Sequence, residues 1–270
     1  ESALIFETKM ENNFKGINFY FVYVLPFQKK EGFKESIAKA IALRPDRIVT
    51  FSYAHLPNLL PAQAKMDISA LPSDSEKLDM YLEARTMLTE AGYKVIGFDH
   101  FALPDDELSH AADEKNLHRN FQGYCTRETT GQVYAFGASG ITQLHNAFIQ
   151  NQKSSVSYIQ DIKYKGFATT KGLELSENER LVSSIIEAIM CNGFVNLEEI
   201  AKSFNKNIFE VFQITGFKPE KLSEIIDDQL ATFENNCLQV TDLGMTVVRN
   251  IAILFDPILQ INATVHSKSI

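Results

Sequence analysis

The chain has 270 residues, 45% of them hydrophobic and 22% charged, and carries a formal net charge of −8. That is the make-up of a globular protein with one large or two ordinary domains. It argues against nucleic acid, whose phosphates call for a basic face, and against a membrane span, since no apolar run approaches about 20 residues.

The longest apolar candidate, 247–255, is interrupted by Arg249 and Asn250. Glu1 and Ser2 are followed by only a short apolar stretch, so no secretory signal is expected. The absence of an initial Met points to a fragment. The three cysteines, Cys125, Cys191 and Cys237, are odd in number and scattered. That pattern fits a reducing cytoplasm better than a disulfide framework.

The first hundred residues alternate strand and helix signals. Residues 17–25 (INFYFVYVL) form an apolar run ended by Pro26, which reads as a strand buried on both faces. Residues 30–43 place Phe33, Ile37, Ala40 and Ile41 at helical spacing, closed by Arg44-Pro45-Asp46. Residues 47–53 (RIVTFSY) are a second strand. Residues 74–91 are a long helix with Leu78, Tyr81, Leu82, Ala84 and Leu88 on its apolar face and Gly92 at its end. Residues 93–98 (YKVIGF) are a third strand. This order predicts parallel β/α units, in which chemistry collects on the loops after the strands. His55-Leu56-Pro57 and Asp99-His100-Phe101 fall there.

Residues 104–150 are less regular, with Gly131, Gly137 and Gly140 as punctuation. The segment GASGI (137–141) reads either as a tight turn or as a ligand contact. From Ser176, a cap with Glu179 three residues on, the character turns helical. Helices are expected over 177–191, 197–204, 207–213 and 219–233. A short strand at 237–240 and a last helix from 242 to about 259 follow. The fold expected is therefore α/β: a partial β/α barrel over 1–172, then a helical, winged-helix-like domain over 173–270. The acidic run Glu220, Glu224, Asp227, Asp228 argues against DNA on that second domain. No internal repeat is evident.

Three blocks carry candidate chemistry. FSYAHLP (51–57) ends a strand in a Pro-bounded loop, and its aromatics also suit an ordinary core. FDHFALPDDEL (98–108) offers Asp99, His100, Asp105, Asp106 and Glu107 for hard-metal ligation or acid–base work. Asp105 and Asp106 read better as caps of a helix starting at Glu107. LHRNFQGYCT (117–126) presents Arg119, whose planar fork suits a carboxylate. It also reads as a polar surface loop. His55, His100 and His118 could converge on zinc, but no His-X-His or His-X-X-X-His pair supports a tetrahedral site.

Those blocks, with RPDRIVTFSYAHLP and YIQDI in the same order, resemble the oxygen-independent coproporphyrinogen III oxidases, radical S-adenosylmethionine enzymes of haem synthesis. The resemblance runs from about residue 10 to residue 260. It implies oxidative decarboxylation of two propionates of coproporphyrinogen III, with S-adenosylmethionine and a [4Fe–4S] cluster as cofactors. It implies adenosyl contacts at Val22, Phe51, Ala54, Phe121, Gln122 and Ile141, and substrate contacts at His100 and Arg119. It also implies a tetrapyrrole partner and contact with a missing amino-terminal barrel segment or another copy.

Two departures stand out. The family's CXXXCXXC motif lies upstream of the matching region, so this chain alone has no cluster site. In NFYFVYVLP (18–26), Tyr20 replaces an Asp and Val24 a Gly. Two alternatives stay open: a non-catalytic haem- or tetrapyrrole-binding homologue, favoured by Tyr20 in place of Asp, and a zinc-dependent hydrolase using His55, His100 and His118.

Overall fold

The computed structural model describes residues 16–58, 60–127 and 131–261. The reading of residues 1–15 as lacking a secretory signal therefore lies outside the described residues. Packing divides the described chain into two compact units, residues 16–114 with 245–247, and residues 115–244 with 248–261.

The first unit holds β1 (Asn18–Tyr23), α1 (Lys30–Leu43), β2 (Arg47–Ser52), α2 (Asp74–Glu90), β3 (Lys94–Ile96), β4 (His100–Ala102) and α3 (Glu107–Asp113). Helix α1 buries Phe33, Ile37 and Ala40 on one face. It ends where Arg44 turns left-handed and donates its N–H to the Ala40 and Ile41 carbonyls. Helix α2 opens with a reciprocal cap between Ser73 and Glu76. Gly92, at φ +88, takes the left-handed position just past its end. Its buried face is Met80, Tyr81, Ala84 and Leu88, while Leu78 and Leu82 are exposed. The two helices pack together over Tyr23, Ile48 and Phe101. The buried Tyr93 hydroxyl donates to the Pro45 carbonyl at 2.7 Å.

The sheet runs in the order β1-β2-β4-β3. β1 and β2 are parallel, with Val22 opposite Phe51. The third strand departs from expectation. Gly97, at φ +62, lets 97–99 turn back as a hairpin. It is β4, antiparallel, that pairs with β2, and β3 sits at the edge. β1 departs too. It is an edge strand, with Tyr20 58% and Val22 44% exposed, so it is not buried on both faces. No closed barrel is formed among the described residues. Asp106 caps α3 by accepting from the Leu108 N–H, while Asp105 is exposed and caps nothing there.

The second unit opens with the hairpin β5 (Leu117–Asn120) and β6 (Gly123–Thr126). Next come β7 (Ile141–Gln143), β8 (Ala147–Asn151), α4 (Ser155–Lys165) and β9 (Thr169–Glu174), where β7-β8-β9 form one antiparallel sheet. Helix α5 (Glu177–Asn192) follows, capped by Ser176 and Glu179 and ended by left-handed Gly193. It buries Leu181, Ile185 and Ile189 completely, one turn apart. The rest is β10 (Phe194–Asn196), α6 (Leu197–Ser203), α7 (Ile208–Thr215), α8 (Ser223–Asp227), β11 (Ala231–Glu234), β12 (Cys237–Val240), α9 (Val248–Ile253) and α10 (Pro257–Ile261). Strands β10-β12-β11 form a three-stranded antiparallel sheet.

Two expected helices are broken. The one over 219–233 ends at Asp227, and Gln229, at φ +58, sends the chain back as β11. Asn235 and Asn236, both at positive φ, then close a two-residue hairpin into β12. The last helix breaks after Ile253, and Asp256 caps a new turn starting at Pro257. Phe217 stacks on Phe255 at 4.1 Å and meets Phe233 edge-on, closing this part of the core.

The Ser176 cap gives a direct test of local design. Ser176→Ala is expected to cost about 1 kcal/mol, read as a modest fall in melting temperature. An unchanged transition would show that packing alone fixes the start of α5.

Candidate functional site

In the first unit the β1 and β2 register brings three aromatic groups together. The Tyr20 ring lies parallel to Phe51 at 5.8 Å, and Phe51 meets the His100 ring edge-on at 6.1 Å. Val22 is opposite Phe51 on the neighbouring strand. His100 lies on β4 rather than in a loop, because the hairpin brings it into the sheet. Its Nδ1 is 2.6 Å from Asp99, and both residues are buried. The loop after β2 is latched by Gln63. Its side-chain oxygen accepts from the Leu56 N–H at 2.5 Å, and its amide donates to the Ala54 carbonyl at 3.1 Å. Ala54 itself is exposed. Both ring nitrogens of His55 are buried without a hydrogen-bond partner.

In the second unit the LHRNFQGYCT block is the β5–β6 hairpin itself. Asn120 holds its tip by accepting from the Gln122 and Gly123 N–H groups at 2.8 and 3.1 Å. Gly123 adopts φ +137, which favours glycine. The tip thrusts Phe121 out, 61% exposed, with its ring edge-on to Phe148 at 5.4 Å. The Arg119 guanidinium lies over the Tyr124 ring at 5.4 Å, and the Tyr124 hydroxyl donates to the Met190 carbonyl at 2.8 Å. Arg119 and Phe121 line one cavity of about 290 Å³ with Gln143, Phe148 and Met190. Gln122 and Ile141 are outside its lining. Ile141 is two residues from Gln143 on β7 and so shares its strand face.

In GASGI, a side chain at Gly140 would come within 3.1 Å of the Ala135 Cβ and 3.3 Å of two backbone carbonyls. A tight turn explains that glycine without a ligand.

Glu187 joins this hairpin to α5. It accepts from His118 Nδ1 at 2.5 Å and also from Arg127. Burial works against its charge, but the bonds from His118 and Arg127 outweigh that and hold the carboxyl below its usual range. Sequence reasoning did not single out Glu187. The available signal was one carboxylate set in the apolar run Ile185-Ile186-Glu187-Ala188-Ile189.

The metal readings find no geometry. His118 is bound to Glu187 and His100 to Asp99. No group of three His, Cys, Asp or Glu able to hold a metal occurs among the described residues. The cysteines do not fit a [4Fe–4S] cluster either. Cys191 is buried, and desolvation first of all pushes its thiol up to about 12. Burial also raises Cys125. Cluster ligands are thiolates, which these two desolvated thiols do not favour.

The family model described as the HemN C-terminal domain matches residues 175–247. The oxygen-independent coproporphyrinogen III oxidase of Salmonella typhimurium is 36% identical over 256 residues, covering 95% of this chain and 55% of that protein. The namesake of Thermostichus vulcanus is 36% identical over 248 residues, covering 92% of this chain and 75% of that protein. A solved structure of Escherichia coli coproporphyrinogen III oxidase (HemN), described as a radical SAM enzyme, superposes with a TM-score of 0.83 at 33% identity. It covers 96% of this chain and 59% of that one. The chain thus spans a little over half the length of the Salmonella protein it matches.

Proposed function

The chain belongs to the oxygen-independent coproporphyrinogen III oxidase family, and from that membership we propose that it forms the substrate-positioning half of an enzyme that decarboxylates two propionates of coproporphyrinogen III. The observation that carries this reading is the β5–β6 hairpin, where Arg119 and Phe121 line one cavity. Arg119 pairs with a propionate carboxylate by its fork, and Phe121 offers a flat face to a nucleoside or a pyrrole ring. Gln122 and Ile141 extend that contact. In the first unit Phe51, Val22 and Ala54 meet the adenosyl group of S-adenosylmethionine, and the buried Asp99–His100 pair faces substrate chemistry from behind Phe51.

On this reading residues 1–172 are a segment of a TIM-like radical SAM barrel. Residues 173–270 are a helical domain, winged-helix-like in its helices followed by a small sheet. The match of the family model to 175–247 supports that boundary. The cluster and its CXXXCXXC ligands come from a segment outside this chain, since a second copy would carry the same three scattered cysteines. The protein works in the cytoplasm, consistent with three free cysteines. No helix among the described residues is long and apolar enough to cross a membrane.

One observation favours a second reading. Tyr20 stands where the resembling family carries Asp, and it is stacked on Phe51, which suits a non-catalytic tetrapyrrole-binding homologue. The test is a polypeptide that joins this chain to a CXXXCXXC-bearing segment, reconstituted anaerobically with iron and sulfide. Conversion of coproporphyrinogen III, impaired by Arg119→Ala, is the expected result. A loaded cluster with neither S-adenosylmethionine cleavage nor conversion would overturn the enzyme and leave the binding homologue.

A further inference from the structure

Beside the Arg119–Phe121 cavity lies a larger one of about 410 Å³, within the second unit. Its lining carries three cations, Lys115, Arg127 and Arg180, against one carboxylate, Glu187. That is a local positive surplus in a protein whose net charge is −8. Glu187 is committed to His118 and Arg127. Arg180 is held differently. Its Nη1 donates to His145 Nε2 at 2.9 Å. A guanidinium has only donors, so that ring nitrogen is the acceptor in this contact. The same guanidinium sits 6.0 Å from the Phe204 ring. Arg180 is therefore oriented by uncharged groups, with no carboxylate in the lining left to neutralise it. Glu177, which feels its charge, is paired with Lys206 at 2.9 Å and lies outside the lining. His118 adds a second observation. It is 4% exposed, and its Nε2 is buried with no hydrogen-bond partner.

We propose that this cleft is an oxyanion-binding site that takes a carboxylate or phosphate group between Arg180 and Lys115. An arginine fork in a partly desolvated cleft binds such groups through paired, charge-assisted hydrogen bonds. The cleft adjoins the Arg119–Phe121 cavity and shares Gln143, Phe148, Ser183 and Glu187 with it, but Arg180 and Lys115 line only the cleft, so its failure leaves the function proposed above intact.

The test titrates the full chain at low salt with three probes: inorganic phosphate, citrate and coproporphyrin III. Saturable binding that weakens about tenfold in Arg180→Gln, and that falls with added salt, is the expected result. Binding of phosphate or citrate without the porphyrin identifies a free small anion as the occupant. Binding of the porphyrin, lost in the same variant, identifies a propionate of a macrocycle. No saturable binding of any probe, or binding of equal strength in Arg180→Gln, overturns the site. Circular dichroism checks the variant's fold. Should it unfold, Lys115→Gln, at an exposed position, is read by the same criteria.

Discussion

Gly244→Ala is expected to destabilise the second unit by about 3 kcal/mol, one of the larger effects available to a single methyl group. The position has no room. A Cβ there would lie 1.9 Å from the Leu230 carbonyl oxygen and 2.8 Å from its carbon. That carbonyl cannot retreat freely, because it accepts from the Thr241 N–H at 2.9 Å and from the Thr241 hydroxyl at 3.1 Å. The Thr241 hydroxyl in turn accepts from the Gly244 N–H at 3.0 Å. A new methyl would therefore have to break the knot that joins β12 to the last helices. Gly32→Ala is the control. Gly32 lies inside α1 with nothing within 4 Å of a new Cβ. There the exchange should be neutral or stabilising by up to about 1 kcal/mol, as in any exposed helix interior. Urea midpoints for both variants check the contrast, and equal midpoints would sink the steric argument.

Glu187→Ala should cost about 2–3 kcal/mol, since it strips the shared acceptor from His118 and Arg127 and leaves a mostly buried imidazole unpaired. The same carboxylate makes stability depend on pH. Its folded pKa is lowered from the ordinary glutamate value, with burial opposing and His118 and Arg127 outweighing it. A lowered folded pKa means that the unfolded chain takes up the proton first as the solution is acidified. The contribution is thus complete above the unfolded value of about 4.3 and fades as pH falls through the folded value beneath it. Melting temperature measured from neutral pH down to that range should fall more steeply in the parent than in Glu187→Gln. Parallel curves would show that Glu187 adds nothing to acid stability.

Much of the helical skeleton was legible because its signals are local. The Ser73–Glu76 and Ser176–Glu179 pairs mark helix starts, and Phe33, Ile37 and Ala40 mark a buried face. Strand order was not legible, because hydrogen-bond pairing is decided between segments far apart in sequence. Residues 97 and 98 read as the end of a strand, and 99–101 as the loop after it. Only pairing with β2 reveals β4. Leu78 and Leu82 were apolar enough to suggest burial, yet Met80 on the neighbouring face carries that packing. The Asn235-Asn236 pair was a readable turn signal lying between the expected helix and the expected strand at 237–240.

The candidate site was legible in its blocks and not in its contacts. The hairpin residues 117–126 were marked, and so was the carboxylate preference of Arg119. That His118 and Arg127 would share one acceptor on α5 depends on a helix 60 or more residues downstream. No spacing rule reaches that far.

Glu187 has one further consequence. It borders both the Arg119–Phe121 cavity and the cationic cleft. Two guests that each alter how this carboxylate is shared must therefore change one another's affinity, and by the same factor in either direction. Any such linkage would be anchored in a single side chain of α5.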